Sequence, residues 1–249
     1  YNFSTATDGG TPYGTLTKGS DGNFYGLTST GGTHGGGTIF KITSTGTYTV
    51  LRHLTASTDG GAPQGHLVLA KDGNFYGVTY NGGATGGGTI FKITPSGTFT
   101  VLRSLTKASD GSNSYGSLVE GTDGNFYGMM NIGGTTGLGT IFKITPTGTY
   151  TVLRNLTELT DGKYPRGDLM QAGDGNFYGM ITYGGANGAG TIFKITSAGS
   201  FTVLRHLSAA ADGDYPYGNL YQNSDGYLYG MLSRGGTNGN GSVFKIATS

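Results

Sequence analysis

The chain has 249 residues, 12% of them charged, a formal net charge of +1, no cysteine and 51 glycines. Zero cysteine excludes disulfides, thiolate zinc sites and cysteine nucleophiles. The few basic residues are spread evenly, which argues against a nucleic-acid partner, and no apolar run approaches the length of a membrane span.

The glycines lack the every-third spacing of a collagen helix. They alternate with short runs of Phe, Tyr, Ile, Val and Leu that can bury apolar surface, so flexible disorder is not expected either. Few charges and many Thr, Ser, Asn and Tyr point to an extracellular or cell-surface protein. The chain starts at "YNFS", in the middle of a pattern, as a processed or trimmed chain would.

That pattern is a repeat. "DGNFYG" begins at Asp21, Asp72, Asp123 and Asp174, and "DGYLYG" begins at Asp225, always 51 residues apart. Repeats of this length assemble one structure together, so residues 1–249 are expected to form a single domain. Within residues 13–63, "YGTLTKG" predicts a short first strand. "SDGN" is a turn signal, and "FYGLTST" is aromatic and β-prone. A glycine loop, "GGTHGGG", leads into "TIFKIT", where Ile39 and Lys41 share one face and Phe40 and Ile42 the other. "STG" turns the chain into a fourth strand, "TYTVLRHLT".

Four short strands joined by tight turns predict an antiparallel meander with no helix. The third and fourth strands are apolar on both faces, as in a sheet sandwiched between two like neighbours. Five such sheets around an axis predict an all-β, five-bladed β-propeller with four antiparallel strands per blade. A linear β-solenoid is the alternative, but it calls for distinct capping repeats.

In register with the period, the chain is five repeats less six residues. The last blade has three strands of its own. Tyr1, Asn2 and Phe3 can supply the end of its fourth strand and close the ring, but the closure is short, so that either the chain continues upstream or one strand edge stays open. A strand edge left open would instead be a seat for self-association through the incomplete last blade.

The series "DGNFYG", "GG" at Gly31 and Gly32, "GTIFKIT", "TVL" and "DGGAP" resembles the GloVer tandem repeat, named for Gloeobacter and Verrucomicrobia. The resemblance covers essentially the whole chain. It implies β-propellers on large exported, often surface-anchored bacterial proteins. It carries no activity that transfers residue by residue.

The repeated acids suggest calcium, but Tyr25 stands where an EF-hand loop needs its fifth-position oxygen and Gly32 where it needs its late Glu. A turn with a carboxylate accepting backbone N–H bonds is the stronger reading. Lys41 and Arg52, with their equivalents, are expected to lie over aromatics or pair with loop aspartates. The glycine loop fails as a phosphate cradle, since Gly37 precedes Thr38 and a strand follows. His34, His53, His66 and His206 show no metal-ligand spacing. Asp168 and Asp214 are the aspartates outside the repeat pattern, and they form no convincing glycosidase pair. The chain is therefore expected to be neither an enzyme nor dependent on a cofactor or metal.

The copies differ at few places. The position of Thr11 is Ala62, Asn113, Tyr164 and Tyr215 in the later repeats. That of Tyr13 is Gln64, Tyr115, Arg166 and Tyr217. That of Thr15 is His66, Ser117, Asp168 and Asn219. In an extended segment these three point the same way. Ser29-Thr30, matched by Tyr80-Asn81, Asn131-Ile132, Thr182-Tyr183 and Ser233-Arg234, varies as well. Variable aromatic and polar residues on a rigid frame look like a binding face. Tyr13, Tyr80, Tyr115, Tyr164, Arg166, Tyr183, Tyr215 and Tyr217 are the candidate ligand-binding residues, for a glycan or protein partner. Drift at unconstrained exposed positions is the alternative, and a structural subunit of a bacterial surface assembly or filament is the alternative function.

Overall fold

The structure is a computed structural model that describes residues 1–248. All its regular elements are strands. The first sheet comprises β1 (Thr17–Lys18), β2 (Phe24–Thr28), β3 (Gly35–Ile42) and β4 (Tyr48–Thr55). The second holds β5 (Val68–Leu69), β6 (Phe75–Val78), β7 (Thr89–Ile93) and β8 (Phe99–Ser104). The third holds β9 (Val119–Glu120), β10 (Phe126–Met130), β11 (Thr140–Ile144) and β12 (Tyr150–Asn155). The fourth holds β13 (Met170–Gln171), β14 (Phe177–Ile181), β15 (Thr191–Ile195) and β16 (Phe201–His206). The last has β17 (Tyr221–Gln222), β18 (Leu228–Leu232) and β19 (Ser242–Ile246). Each sheet is an antiparallel meander in strand order. In the third and fourth strands a bulge leaves Leu51, Leu102, Leu153 and Leu204 without a cross-strand partner. The same side chains pack against the intersheet clusters, which is how a strand can be apolar on both faces.

Among the described residues the core is divided into four clusters rather than gathered into one. Apolar surface is buried between consecutive sheets. Tyr25, Leu27, Ile39 and Leu54 of the first sheet pack on Leu67, Phe75, Phe91 and Ile93 of the second. The same eight places meet at the next two joints, and the fourth joint keeps the pattern with Leu228 in place of Phe.

"DGNFYG" is the centre of each joint. Asp21 accepts hydrogen bonds from the Asn23 backbone N–H (3.1 Å), Asn23 Nδ2 (2.6 Å) and the Tyr25 hydroxyl (2.8 Å). Held there, the fully buried Tyr25 ring lies on Phe75 of the next copy's motif at 4.1 Å between centroids. Tyr76 meets Phe126 at 4.0 Å, and Tyr127 meets Phe177 at 3.9 Å. The turn therefore fixes the tyrosine, and the tyrosine fixes the next sheet.

Two further contacts lock each joint. Arg52, Arg103, Arg154 and Arg205 clamp Asp59, Asp110, Asp161 and Asp212 at 2.7–2.8 Å. The first three guanidinium groups lie over Phe99, Tyr150 and Phe201 of the following sheet, about 5 Å from the ring centres. Along the inner edge, successive first strands approach so closely that a Cβ on Gly116 would sit 2.5 Å from the Gly167 carbonyl oxygen. Side chains there bridge to the previous sheet: Asp168 accepts from the Ser117 N–H, and Asn219 accepts from the Asp168 N–H.

The five sheets do not form the closed ring of four-stranded blades expected from the repeat count. The last sheet has three strands, and β19 pairs only with β18. Tyr1–Phe3 do not reach it. Tyr1 stacks on Tyr48 at 4.3 Å, nearly parallel, and its hydroxyl donates to Asp8 at 2.7 Å. Phe3 meets Phe40 and Tyr48 edge-on. These are the places that Arg52 and Leu54 take on the second sheet, so the N-terminus stays on its own sheet because its aromatics are held there.

Removing the Asp123 carboxylate strands a buried tyrosine hydroxyl. Asp123→Ala should lower the free energy of unfolding by about 1–3 kcal/mol. Tyr127→Phe removes the hydroxyl together with its need for a partner and should cost less. Urea denaturation of both variants decides the order, and an equal cost would remove the anchoring role. The acids also set a pH response. Bonds from the Asn23 side chain, with those from Tyr25 and the Asn23 N–H, hold the Asp21 carboxyl below its ordinary value. At Asp72, Asp123 and Asp174 burial acts upward, but the tyrosine and asparagine bonds outweigh it. Their contribution is present above the unfolded carboxylate value near 4 and disappears as pH falls through the lower folded values. Urea midpoints measured from pH 7 to pH 2 should fall only below about pH 4, and Asp123→Asn should flatten that fall.

Candidate functional site

The loop from each fourth strand to the next first strand is not extended. Thr11, Ala62, Asn113, Tyr164 and Tyr215 all have left-handed backbones, with φ between 51° and 60°. This kink separates the three variable positions that an extended segment would have aligned. Residues at the Thr15 position lie along the row of first strands, where His66, Ser117, Asp168 and Asn219 bridge successive repeats. Those at the Thr11 and Tyr13 positions stay on the loop face. The left-handed conformation costs a residue other than glycine about 1–2 kcal/mol. Asn113 tolerates it well, whereas Tyr164 and Tyr215 carry bulky side chains at a strained place.

On that face seven of the eight candidate residues touch one another in a continuous series. Tyr80 and Tyr115 share a hydroxyl–hydroxyl hydrogen bond of 3.2 Å, with ring centroids 5.1 Å apart. The Arg166 guanidinium lies between Tyr115 and Tyr217, 5.0 and 5.1 Å from their centres. Tyr217 adjoins Tyr215 at 5.8 Å, Tyr215 meets Tyr183 edge-on at 4.9 Å, and Tyr183 meets Tyr164 at 6.2 Å. The series crosses the second to the fifth sheet. Tyr13 is outside it, 63% exposed on the first sheet.

Cations border the tyrosines. Arg234 lies 4.2 Å over Tyr215, and Lys163 lies 5.6 Å from Tyr164 while bonded to Glu158. Sequence reasoning named Arg234 only as a variable position and Asp214 only as an aspartate outside the repeat pattern, and it did not single out Lys163; their place beside the tyrosines appears only when the loops of different repeats meet. A cleft of about 440 Å³ opens among Asn131, Ile132, Lys163, Tyr164, Arg166 and Tyr183. Two buried polar atoms at this face, Arg166 Nε and Asp214 Oδ1, have no hydrogen-bond partner. One is a donor and the other an acceptor. The Tyr183 hydroxyl is pushed up to about 12 by its hydrogen bond with Tyr215, then by burial and the neighbouring tyrosines. The bond with Tyr115, followed by burial, raises Tyr80 too. Both therefore stay protonated through the neutral range.

The other variable residues are braces. Ser29, Asn131 and Thr182 donate to the carbonyls of Pro63, Pro165 and Pro216 in the following repeat. His53 and His206 accept loop N–H bonds through Nδ1, and Asn155 does so through Oδ1. Among the described residues no His, Asp or Glu cluster could hold a metal ion. At the axis His66 Nδ1 and Ser117 Oγ lie 2.7 Å apart, beside Asp168. This is not a Ser-His-Asp relay, because Asp168 accepts from the Ser117 backbone N–H rather than from the imidazole.

Comparison with solved structures gives the architecture. A virginiamycin B lyase from Staphylococcus aureus matches at 21% identity and TM-score 0.59, over 96% of this chain and 71% of that one. The extracellular domain of BT4673 from B. thetaiotaomicron matches at 13% identity and TM-score 0.61, over 94% of this chain and 27% of that one. A gluconolactonase from Xanthomonas campestris matches at 12% identity and TM-score 0.54, over 98% and 79%. The shared fold is β-propeller-like, and each sheet corresponds to a blade. The expectation that the chain is not an enzyme is corrected here. Lyases and lactonases carry this same fold, so the lack of a recognisable acid pair in the sequence does not exclude catalysis. A comparison with curated proteins finds no match. The repeat described as the Gloeobacter/Verrucomicrobia repeat matches residues 1–173 and 147–249, and the chain belongs to that family.

Proposed function

We propose that this chain is an extracellular, glycan-binding module of five β-propeller blades, each built on a four-strand plan, and that the tyrosine–arginine face is its binding site. The observation that carries this reading is the convergence of seven variable side chains from four blades into one contact series. Drift would scatter substitutions around the molecule, and Tyr13 alone behaves in that way.

The chemistry suits a sugar. Tyrosine rings offer flat apolar faces for C–H surfaces, and their hydroxyls offer polar tips. Arg166 Nε and Asp214 Oδ1 supply an unused donor and an unused acceptor, and a sugar hydroxyl can pair with either kind of group. The rings are already wedged against one another and against cations, so binding orders few side chains. An exported location agrees with the composition and with the extracellular setting of the BT4673 domain.

A glycan array followed by calorimetry tests the site. Arg166→Ala and Tyr215→Ala should each weaken the best glycan at least tenfold, about 1.4 kcal/mol, and Tyr13→Ala should leave it unchanged. No bound glycan, or an equal loss from Tyr13→Ala, rejects the reading. Tyr164→Asn takes the residue that the third repeat uses at the same left-handed backbone. It should hold or raise stability by about 1 kcal/mol while lowering affinity. Affinity should be flat between pH 6 and 9, because the raised hydroxyls of Tyr80 and Tyr183 stay protonated there.

A further inference from the structure

The arginine that recurs in the fourth strands has a fixed partner: Arg52, Arg103, Arg154 and Arg205 each clamp an aspartate. Arg166 has none. It stands at the place of Tyr13, Gln64, Tyr115 and Tyr217. Its guanidinium is held between the Tyr115 and Tyr217 rings and forms no ion pair among the described residues. Its Nε is buried without an acceptor. Asp168, the nearest acid along the chain, is engaged by the Ser117 N–H and by Asn219 Nδ2. The protein therefore supplies no counter-charge for this cation.

Arg166 lines the cleft of about 440 Å³ between the third and fourth blades. Lys163 lines it too, from the same loop, where the other repeats have Gly10, Gly61, Ser112 and Asp214. The fourth repeat is thus the one copy with cations at both places. Lys163 is balanced by Glu158, to which its Nζ is bonded, so Arg166 carries the uncompensated charge. Among the described residues no acid lines the cleft, and Tyr164 and Tyr183 give it aromatic walls. Asn131 steadies the loop by donating to the Pro165 carbonyl at 2.9 Å, one residue before Arg166.

We infer that the ligand of this cleft is an anionic sugar, a ring bearing a carboxylate or a sulfate, with its oxyanion set against Arg166 and its ring face on the tyrosines. The inference rests on the glycan-binding reading of the face and specifies the class of glycan. A guanidinium is planar, and its N–H groups form a fork that fits two oxygens of one oxyanion. The two flanking rings set the plane of that fork before the ligand arrives, so little ordering is left for binding. They also take water from the faces of the cation, which strengthens its attraction for an anion. A neutral sugar would leave the charge uncompensated.

The test is calorimetry of the 249-residue chain with oligosaccharides of polygalacturonate, alginate and a sulfated galactan, each beside its carboxyl-reduced or desulfated counterpart. An acidic member should bind about tenfold or more tighter than its neutral counterpart, and raised salt should shrink that advantage. Preference for a carboxylated or for the sulfated member identifies the source of the oxyanion. Arg166→Gln takes the residue that the second repeat carries at the same place, so the loop is kept. It should remove the acidic advantage and leave the affinity of the neutral counterpart unchanged. Arg166→Lys, which keeps the charge but not the fork, should restore only part of the advantage. Equal affinity for acidic and neutral members, or an advantage that survives Arg166→Gln, overturns the inference and leaves the glycan site standing. Equal binding of a polyglutamate chain overturns it as well, because the cleft then reads charge rather than sugar. Absence of binding by every member rejects the site itself, and the inference with it.

Discussion

The structure depends on one repeated joint, in which a buried tyrosine is held by the turn before it and lies on the sheet after it. Each sheet alone is too thin to bury its own side chains, because both of its faces are apolar. Stability therefore resides between sheets. A ring pair of this kind contributes about 0.5–1.5 kcal/mol beyond the area it buries, and the hydroxyl–carboxylate bond adds a charge-assisted contact that fixes direction as well as energy. The Arg–Asp clamp works on the same principle. It satisfies a nearly buried carboxylate within one repeat and turns the guanidinium outward over a ring of the next. Local bonds aim the side chains, and the aimed side chains join the repeats.

This arrangement separates constancy from variation. A change in Asp21, Tyr25, Arg52 or Asp59 would be felt on both sides of a joint, so all copies keep these residues wherever the next sheet is present. The fifth repeat has "DGYLYG" in place of "DGNFYG", and its Leu228 packs on the fourth sheet at the place where the second to fourth copies carry Phe. The loop between fourth and first strands is free of that constraint. Its backbone is set by the frame, left-handed at the same place in every repeat, whatever residue stands there. The frame thus holds out five positions of fixed geometry whose side chains can differ.

Much of this was legible from one sequence. The 51-residue period gave strand order, sheet number and the faces of "TIFKIT", because strand alternation is a local property and Ile39, Phe40 and Ile42 obey it. The arginines were legible as partners of loop aspartates and rings because their spacing recurs. The variable tyrosines could be picked out by comparing repeats. Their meeting could not, because it depends on how closely successive loops approach, and a kink at Asn113, Tyr164 and Tyr215 replaced the extended segment that the alternation rule assumed. Closure by the N-terminus was left open by the sequence for a similar reason. Counting strands treats Tyr1–Phe3 as free to travel, while Tyr1 stacked on Tyr48 and bonded to Asp8 is not. Catalysis was set aside for want of a recognisable acid pair, yet that lack cannot rule on a fold that serves lyases and lactonases.

The placement of tyrosine at left-handed positions connects frame and face. Three of the five repeats fill this backbone place with Thr, Ala or Asn, so packing does not call for an aromatic there. Tyr164 and Tyr215 accept the strain, and both belong to the contact series, on either side of Tyr183. Strain at a residue that the fold does not require is a cost without a structural return. The return is found across the repeats, where the two rings enclose Tyr183, abut the cations Lys163 and Arg234, and adjoin the unpaired Arg166 Nε and Asp214 Oδ1. A frame selected only for packing would have left asparagine or glycine at both places. The aromatic choice is accounted for by the contact series that the two rings complete across the repeats.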